Sequence, residues 1–128
     1  MNPLTLEWIT KAEGDWGSAQ REFQVTQNAN YDLVCYLAQQ CAEKYVKARL
    51  QEAAATIPKI HDLVKLLNLA LPLEPSWRVL LNDLKFLSDF AFLYRYPGAT
   101  ATINDAQDAI ESCRKVREAV RQSFGLPI

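Results

Sequence analysis

The sequence predicts an all-α protein, an antiparallel up-and-down bundle of four long helices and one short helix. Apolar residues recur every three to four positions along five segments, the spacing that lines one face of an α-helix. No segment alternates between apolar and polar residues as a half-buried strand does, and no unit of about 20 to 50 residues repeats, which argues against a mixed fold and a solenoid. At 128 residues the chain has the length of a single domain, residues 1–128, which can bury a core without disulfides.

The first helix is predicted from Leu4 to about Val25. Its apolar residues step by three or four positions: Trp8, Ala12, Trp16, Ala19 and Phe23. A short polar turn at residues 26–30 then predicts that the second helix runs antiparallel to the first.

The second helix is predicted over residues 31–55, with Asn30 as its N-cap. It should end near Thr56, because Pro58 disfavours helical backbone in the residue before it. Its apolar face is the broadest in the chain, and we therefore expect it at the centre of the bundle: Val34, Cys35, Ala38, Cys41, Ala42, Tyr45 and Val46.

The third helix is short, with apolar residues from Leu63 to Ala70, and Pro72 closes it. The fourth helix is predicted to begin at Pro75, because proline is favoured at the first helical position, and to continue to Ala91. An Arg-Tyr-Pro-Gly motif at residues 95–98 ends this segment in a turn.

The fifth helix opens at Thr102, which with Asp105 three residues later resembles a capping box. Its apolar seam continues to Phe124, and Gly125 and Pro127 stop it.

Composition excludes several classes of function. With 14 basic and 15 acidic residues, the chain has no overall positive field for binding nucleic acid or acidic membranes, so any such contact must be local. The three cysteines lie in apolar helical patterns without CxxC spacing, which favours a reducing environment over a disulfide framework. Neither a signal peptide nor a membrane span is predicted, and we expect a cytoplasmic protein with no membrane partner.

A polar strip runs along the second helix, opposite its apolar face. Gln40, Glu43 and Lys47 recur at spacings of three and four, with Tyr36 and Lys44 beside them. Glu43 and Lys47 have the order that favours an exposed ion pair, so by default the strip is a solvated face.

Arg49 is an irregularity on the same helix, since it projects along the centre of the apolar face. Either the helix leaves the core before Arg49, which we expect, or the guanidinium is buried against a carboxylate or an interface.

His61 is the only histidine and lies at the start of the third helix, next to Asp62. It suits a general acid or base, or a contact to phosphate, but a lone histidine is more often a capping or packing residue. One histidine without CxxC or HExxH spacing leaves no predicted metal site.

Arg95 and Tyr96 lie where the fourth helix leaves the bundle. Arginine offers a planar set of donors that matches phosphate, and tyrosine can stack on a base. The alternative is that Arg95 only complements the helix dipole, beside an ordinary Pro-Gly stop.

Four motifs in order resemble the HEPN domain family (higher eukaryotes and prokaryotes nucleotide-binding), over about residues 8–124. They are Gln-Gln-Cys-Ala-Glu-Lys-Tyr-Val-Lys-Ala (39–48), Pro-Lys-Ile-His-Asp-Leu (58–63), Arg-Tyr-Pro-Gly (95–98) and Asn-Asp-Ala-Gln-Asp-Ala-Ile (104–110). The resemblance implies a bundle of four or five helices, self-association as a homodimer, and partnership with a minimal nucleotidyltransferase in a toxin-antitoxin-like pair.

The chain departs from the members of that family that cut RNA. Those members have an arginine followed four to six residues later by a histidine, whereas His61 follows Arg49 by twelve residues and no histidine follows Arg95. The resemblance therefore implies the fold and the partners, and leaves catalysis without its usual motif. It offers the following ligand-binding residues: Gln40, Glu43, Lys44, Lys47, His61, Arg95 and Tyr96.

Three functions are compatible with these observations. The first is a non-catalytic nucleotide-binding or scaffold subunit without cofactor, in which Arg95, Lys47 and His61 contact phosphate and Tyr96 contacts the base. The second is an RNA-cleaving toxin with an atypical site built from His61 and Arg95, of the same or a partner chain, as acid-base and phosphate-stabilising groups. The third is a dimeric adaptor that contacts only protein.

Overall fold

The computed structural model describes all residues, 1–128, and contains helices and no strands. The predicted all-α fold is confirmed. Two short 3₁₀ segments flank the fourth α-helix, and the α-helices are α1 (Pro3–Phe23), α2 (Tyr31–Glu52), α3 (Leu63–Ala70), α4 (Leu81–Ser88) and α5 (Ile103–Ser123). None of these helices is both long enough and apolar enough to cross a membrane.

α1 and α2 form an antiparallel hairpin. The Thr5 hydroxyl, near the start of α1, donates a hydrogen bond to Glu52 at the end of α2, at 3.0 Å. At the other end of the hairpin the rings of Phe23 and Tyr31 lie 6.2 Å apart. The predicted cap is present, since the Asn30 side chain accepts the backbone N–H of Leu33 at 3.0 Å.

α2 is the centre of the molecule, as its broad apolar face predicts. It contacts all four of the other α-helices. The side chains buried along it come from most of its circumference and include residues outside the predicted apolar face: Gln39, Glu43, Lys47, Ala48 and Leu50. The three cysteines are free and buried.

The segment predicted as a long fourth helix is helical throughout but changes its winding. A 3₁₀ helix covers Pro75–Leu80, α4 follows, and a second 3₁₀ turn covers Asp89–Ala91. The large buried side chains of this segment are spaced mostly by three: Trp77, Leu80, Leu84, Leu87 and Phe90. A spacing of three keeps side chains on one face of a 3₁₀ helix, which has three residues per turn.

The predicted capping box opens α5. The Thr102 hydroxyl accepts the N–H of Asp105 at 3.1 Å, and the Asp105 carboxylate accepts the N–H of Thr102 at 2.8 Å. α5 runs along α4, where the Ser112 hydroxyl donates to Asp83 at 2.9 Å.

The expectation that the helix leaves the core before Arg49 is wrong. Ala48 and Leu50 are both buried, and α2 continues to Glu52. The Arg49 Nε donates to Glu74 Oε1 at 3.0 Å, so the guanidinium is held against a carboxylate, which was the other alternative. This pairing offsets the cost of placing a charge on a largely buried helix.

A charged cluster around Glu13 joins α1, α2 and α5. Arg117 donates two hydrogen bonds to the Glu13 carboxylate, at 2.7 and 2.8 Å, and the Tyr45 hydroxyl donates a third. These hydrogen bonds, chiefly that from Arg117, hold the pKa of Glu13 below its usual value. Burial, together with the bond to Glu13, raises the pKa of Tyr45, so its hydroxyl remains a donor at neutral pH.

We expect replacement of Glu13 by glutamine to destabilise the protein at neutral pH by about 1–2 kcal/mol, because charge-assisted hydrogen bonds are lost. The folded pKa lies below the unfolded value of about 4.3, so the ionised carboxylate stabilises the fold above that value, and this contribution disappears as the pH falls through the folded pKa. Urea unfolding from pH 7 to pH 3 should show the two proteins converging in acid.

The control is Glu111→Gln, which removes a more exposed carboxylate paired with Arg114. Its effect at pH 7 should be much smaller. If the difference in the free energy of unfolding between wild type and Glu13→Gln were constant across the pH range, the predicted pH dependence would be wrong.

Candidate functional site

In the polar strip on α2, Glu43 and Lys47 are buried and Gln40 is half-buried, so the expectation of a solvated face is wrong. Glu43 is 4% exposed and Lys47 is 6% exposed, and the Lys47 Nζ lies 3.0 Å from Glu43 Oε2. α1 covers this side of α2, with the ring of Trp8 centred 5.8 Å from the Lys47 ammonium. The ion pair is therefore part of the packing between helices.

The other oxygen of Glu43 fixes the segment that precedes α3. His61 Nδ1 lies 2.8 Å from Glu43 Oε1, and the amide of Gln39 donates to the same oxygen at 3.1 Å. The Gln39 amide also donates to the backbone carbonyl of His61 at 3.2 Å, and Gln40 donates to Gln39 at 2.7 Å. These bonds clamp the start of α3 onto the middle of α2.

Gln39 was missed by the sequence reasoning, although it is fully buried and lies at the centre of this network. Its spacing of four residues from Glu43 was the available signal, because residues four apart are neighbours on a helix.

The ring of His61 is half exposed and has a fixed orientation. A carboxylate only accepts hydrogen bonds, so Nδ1 donates to Glu43 and Nε2 has no partner within the protein. Phe92 packs edge to face on the ring at a centroid distance of 5.9 Å. Both residues line a groove of about 350 Å³, together with Ile60, Asp62, Lys65, Ser88 and Asp89.

Arg95 lies on a second groove at the start of α2. Its guanidinium lies over the ring of Tyr36, 5.1 Å from the centroid, and 6.0 Å from that of Tyr96. Its one hydrogen bond within the protein goes to the carbonyl of Ala91 at 3.4 Å, and it forms no salt bridge with any carboxylate. Arg95 therefore has no ion-pair partner within the protein.

Six residues line this second groove, which has a volume of about 320 Å³: Asn30, Asp32, Leu33, Tyr36, Tyr94 and Arg95. Asp32 accepts the N–H of Ala101 at 2.7 Å, which ties the loop before α5 to the start of α2. Tyr94 donates to Asp105 at 3.3 Å. Burial and the nearby Asp105 carboxylate raise the pKa of Tyr94, which keeps its hydroxyl protonated.

The structure brings some of the predicted site residues together and separates others. Gln40, Glu43, Lys47 and His61 belong to one hydrogen-bonded network, while Lys44 pairs with Asp15 of α1. Arg95 and the largely exposed Tyr96 lie at the neighbouring groove. On α2, Arg95 contacts Tyr36 and His61 contacts Glu43. Tyr36 and Glu43 are seven residues apart, which is about 10 Å along a helix axis. The two grooves are thus adjacent and distinct.

Comparisons with known proteins agree with the helical fold. The sequence model of the family described as HEPN domain matches residues 5–123. ST0689, an archaeal HEPN homologue of known structure, is similar at a TM-score of 0.74 and 28% identity, covering 93% of this chain and 96% of that one. TT1696 from Thermus thermophilus shares the fold at a TM-score of 0.76 and 23% identity, covering 92% and 96%. No curated protein matches the chain significantly.

Breaking the buried pair on α2 should be costly. We expect Lys47→Met and Glu43→Gln each to destabilise the protein by about 3–5 kcal/mol, because each leaves a buried polar group without its charged partner. The double variant should recover part of that loss, and urea unfolding of the four proteins measures the coupling.

Lys44→Met is the matched control, since Lys44 belongs to the same helix but its pair with Asp15 is more exposed. We expect a loss of about 1 kcal/mol or less for this variant. Equal losses in the free energy of unfolding for Lys47→Met and Lys44→Met would show that burial does not determine how much each ion pair contributes to stability.

Proposed function

We propose that this chain, which belongs to the HEPN domain family, is a non-catalytic nucleotide-binding or scaffold subunit that pairs with a minimal nucleotidyltransferase. The proposal that the chain binds a nucleotide rests on the environment of the Arg95 side chain. Its guanidinium is exposed, rests on an aromatic ring at the edge of a groove and has no acidic partner.

An unpaired arginine held in this way suits a phosphate. The planar guanidinium can donate two parallel hydrogen bonds to phosphate oxygens. Its contact with Tyr36 and its hydrogen bond to the Ala91 carbonyl limit its conformational freedom, and its other N–H groups have no partner within the protein. Less entropy is then lost when a ligand is bound.

The aromatic residues beside Arg95 supply a surface for a base. Tyr96 is 61% exposed, and the ring of Tyr36 forms part of the groove. Stacking of a base on an aromatic side chain contributes about 1–3 kcal/mol. The groove volume of about 320 Å³ lies at the lower end of the range for small-molecule sites, roughly 300–1,000 Å³.

The burial of the strip on α2 revises the roles of the other candidate residues. Lys47 is enclosed and paired with Glu43, so in this proposal it supports the fold and leaves phosphate to Arg95. His61 faces the neighbouring groove, where its free Nε2 could contact a ligand that extends beyond Tyr36.

A nucleotide-binding role fits this geometry better than RNA cleavage within one chain. Cleavage by His61 and Arg95 would need both groups on the same phosphate. They line different grooves, and their partners on α2 lie about 10 Å apart along the helix.

The partnership and the self-association rest on the family. The resemblance of the chain to small stand-alone HEPN proteins implies a homodimer and a minimal nucleotidyltransferase partner in a toxin-antitoxin-like pair. In this proposal the bundle acts as the scaffold, and the Arg95 groove presents a nucleotide to the partner.

If the groove binds a nucleotide through Arg95, removal of the guanidinium should lower the affinity for nucleotides. We expect Arg95→Ala to weaken binding of ATP and of GTP by about tenfold or more, because charged hydrogen bonds to phosphate contribute about 1.5–3 kcal/mol. Isothermal titration calorimetry measures the loss. Arg78→Ala is the control, since Arg78 is an exposed arginine without a salt bridge on the 3₁₀ helix Pro75–Leu80. Equal affinity in both variants, or no binding to wild type, would contradict the nucleotide half.

The scaffold half predicts a stable complex. In the proposed pair the nucleotidyltransferase is encoded by an adjacent gene. Co-expression with the product of that gene should give one co-purifying complex, and the chain alone should elute with the mass of two copies. Size-exclusion chromatography with light scattering distinguishes these states. If the chain is a monomer and does not associate with the product of the adjacent gene, the proposed scaffold role is wrong.

A further inference from the structure

Asp32 adds a second charged group to the Arg95 groove, one that the phosphate contact does not use. Its Oδ1 accepts the backbone N–H of Ala101 at 2.7 Å, which holds the carboxylate in place. Its Oδ2 makes no hydrogen bond or salt bridge within the protein. Because Asp32 lines the groove, this anchored carboxylate is available to a bound ligand.

Two neighbouring polar atoms of the groove are already engaged. The Asn30 side-chain oxygen accepts the N–H of Leu33 at 3.0 Å, and the Tyr94 hydroxyl donates to Asp105. The groove therefore presents a strong donor at Arg95 and a strong acceptor at Asp32. A nucleotide fits both when its phosphate reaches Arg95 and its base offers N–H donors, most effectively a pair of them, to Asp32.

Among the common nucleobases, guanine has this pair of donors. Its N1–H and its 2-amino group are adjacent, and a carboxylate, which only accepts, can take both hydrogen bonds. Adenine and cytosine place a ring acceptor beside their amino group, and that acceptor would face the carboxylate. Sites built around a specific hydrogen bond reject ligands that lack it, because the polar group of the site is left without a partner.

We propose that the Arg95 groove prefers guanine nucleotides, with Asp32 accepting from N1–H and the 2-amino group of the base and Arg95 donating to the phosphate. This inference rests on the proposed nucleotide-binding function and adds the identity of the base. Tyr36 or Tyr96 stacks on the purine ring, and Asp32 sets the specificity.

Calorimetry with three purine monophosphates tests the preference on the intact chain. Wild type should bind guanosine monophosphate about tenfold or more tightly than adenosine monophosphate. Inosine monophosphate, which keeps N1–H and lacks the 2-amino group, should fall between them. This order depends on no variant, so it stands even if a substitution at Asp32 affects folding.

Asp32→Asn is the matched variant, because the amide oxygen still accepts the N–H of Ala101 while the second position becomes a donor. We expect it to lose the preference for guanosine monophosphate and to bind adenosine monophosphate more tightly than wild type does, because the ring N1 of adenine can accept from the new amide donor. Asp108→Asn, at an exposed aspartate of α5 that lines neither groove, should change neither affinity.

Two outcomes overturn the inference, and they can be told apart. If wild type binds the three monophosphates equally and Arg95→Ala weakens all of them, the guanine preference fails while the nucleotide-binding function stands. If wild type binds none of them and neither ATP nor GTP, both proposals fail.

Discussion

The enclosure of α2 on almost every side is the constraint on which the rest of the structure depends. A helix in that position can carry a charged or amide side chain only if the protein supplies a partner, because an unpaired buried polar group costs too much free energy. Lys47, Glu43 and Gln39 satisfy one another and bind the segment before α3. Tyr45 and Arg49 meet partners from α1 and from the residues before α4. No buried side-chain polar atom lacks a hydrogen bond. The polar residues of α2 thus set which elements pack against it, and where.

Because most charged groups between the helices are paired, a charged group without a salt bridge is informative about function. The arginines that connect the helices, Arg49 and Arg117 among them, are each bonded to a carboxylate, whereas Arg95 is not. The loop that carries Arg95 is nevertheless well anchored, through Asp32 to Ala101 and through Tyr94 to Asp105. A fixed loop with an arginine that forms no ion pair at its edge is the arrangement expected of a binding surface on a rigid scaffold. The proposed function of this HEPN protein follows from that contrast.

His61 both holds the fold together and offers a free group to a ligand. Its backbone carbonyl and its Nδ1 are used by Gln39 and Glu43 to hold the start of α3, and its Nε2 remains open to a groove. The structural and the chemical interpretations of a lone histidine, which are alternatives in the sequence, are therefore compatible in the structure. One ring nitrogen serves the fold, and the other is free for a ligand.

The sequence by itself determined the helices, their caps and the central place of α2, because those features depend on local spacing: a period near 3.6 residues, Asn30 and the Thr102 capping box at helix starts, and prolines at breaks. It also singled out Arg95 and His61, since each is unusual for its position. Only the tertiary structure decided that Glu43 and Lys47 are buried, that Arg49 meets Glu74, and that Asp32 shares a groove with Arg95. These facts depend on what covers each helix face and on residues 25 or more positions apart in the chain, and the periodicity of one helix carries no information about its neighbours.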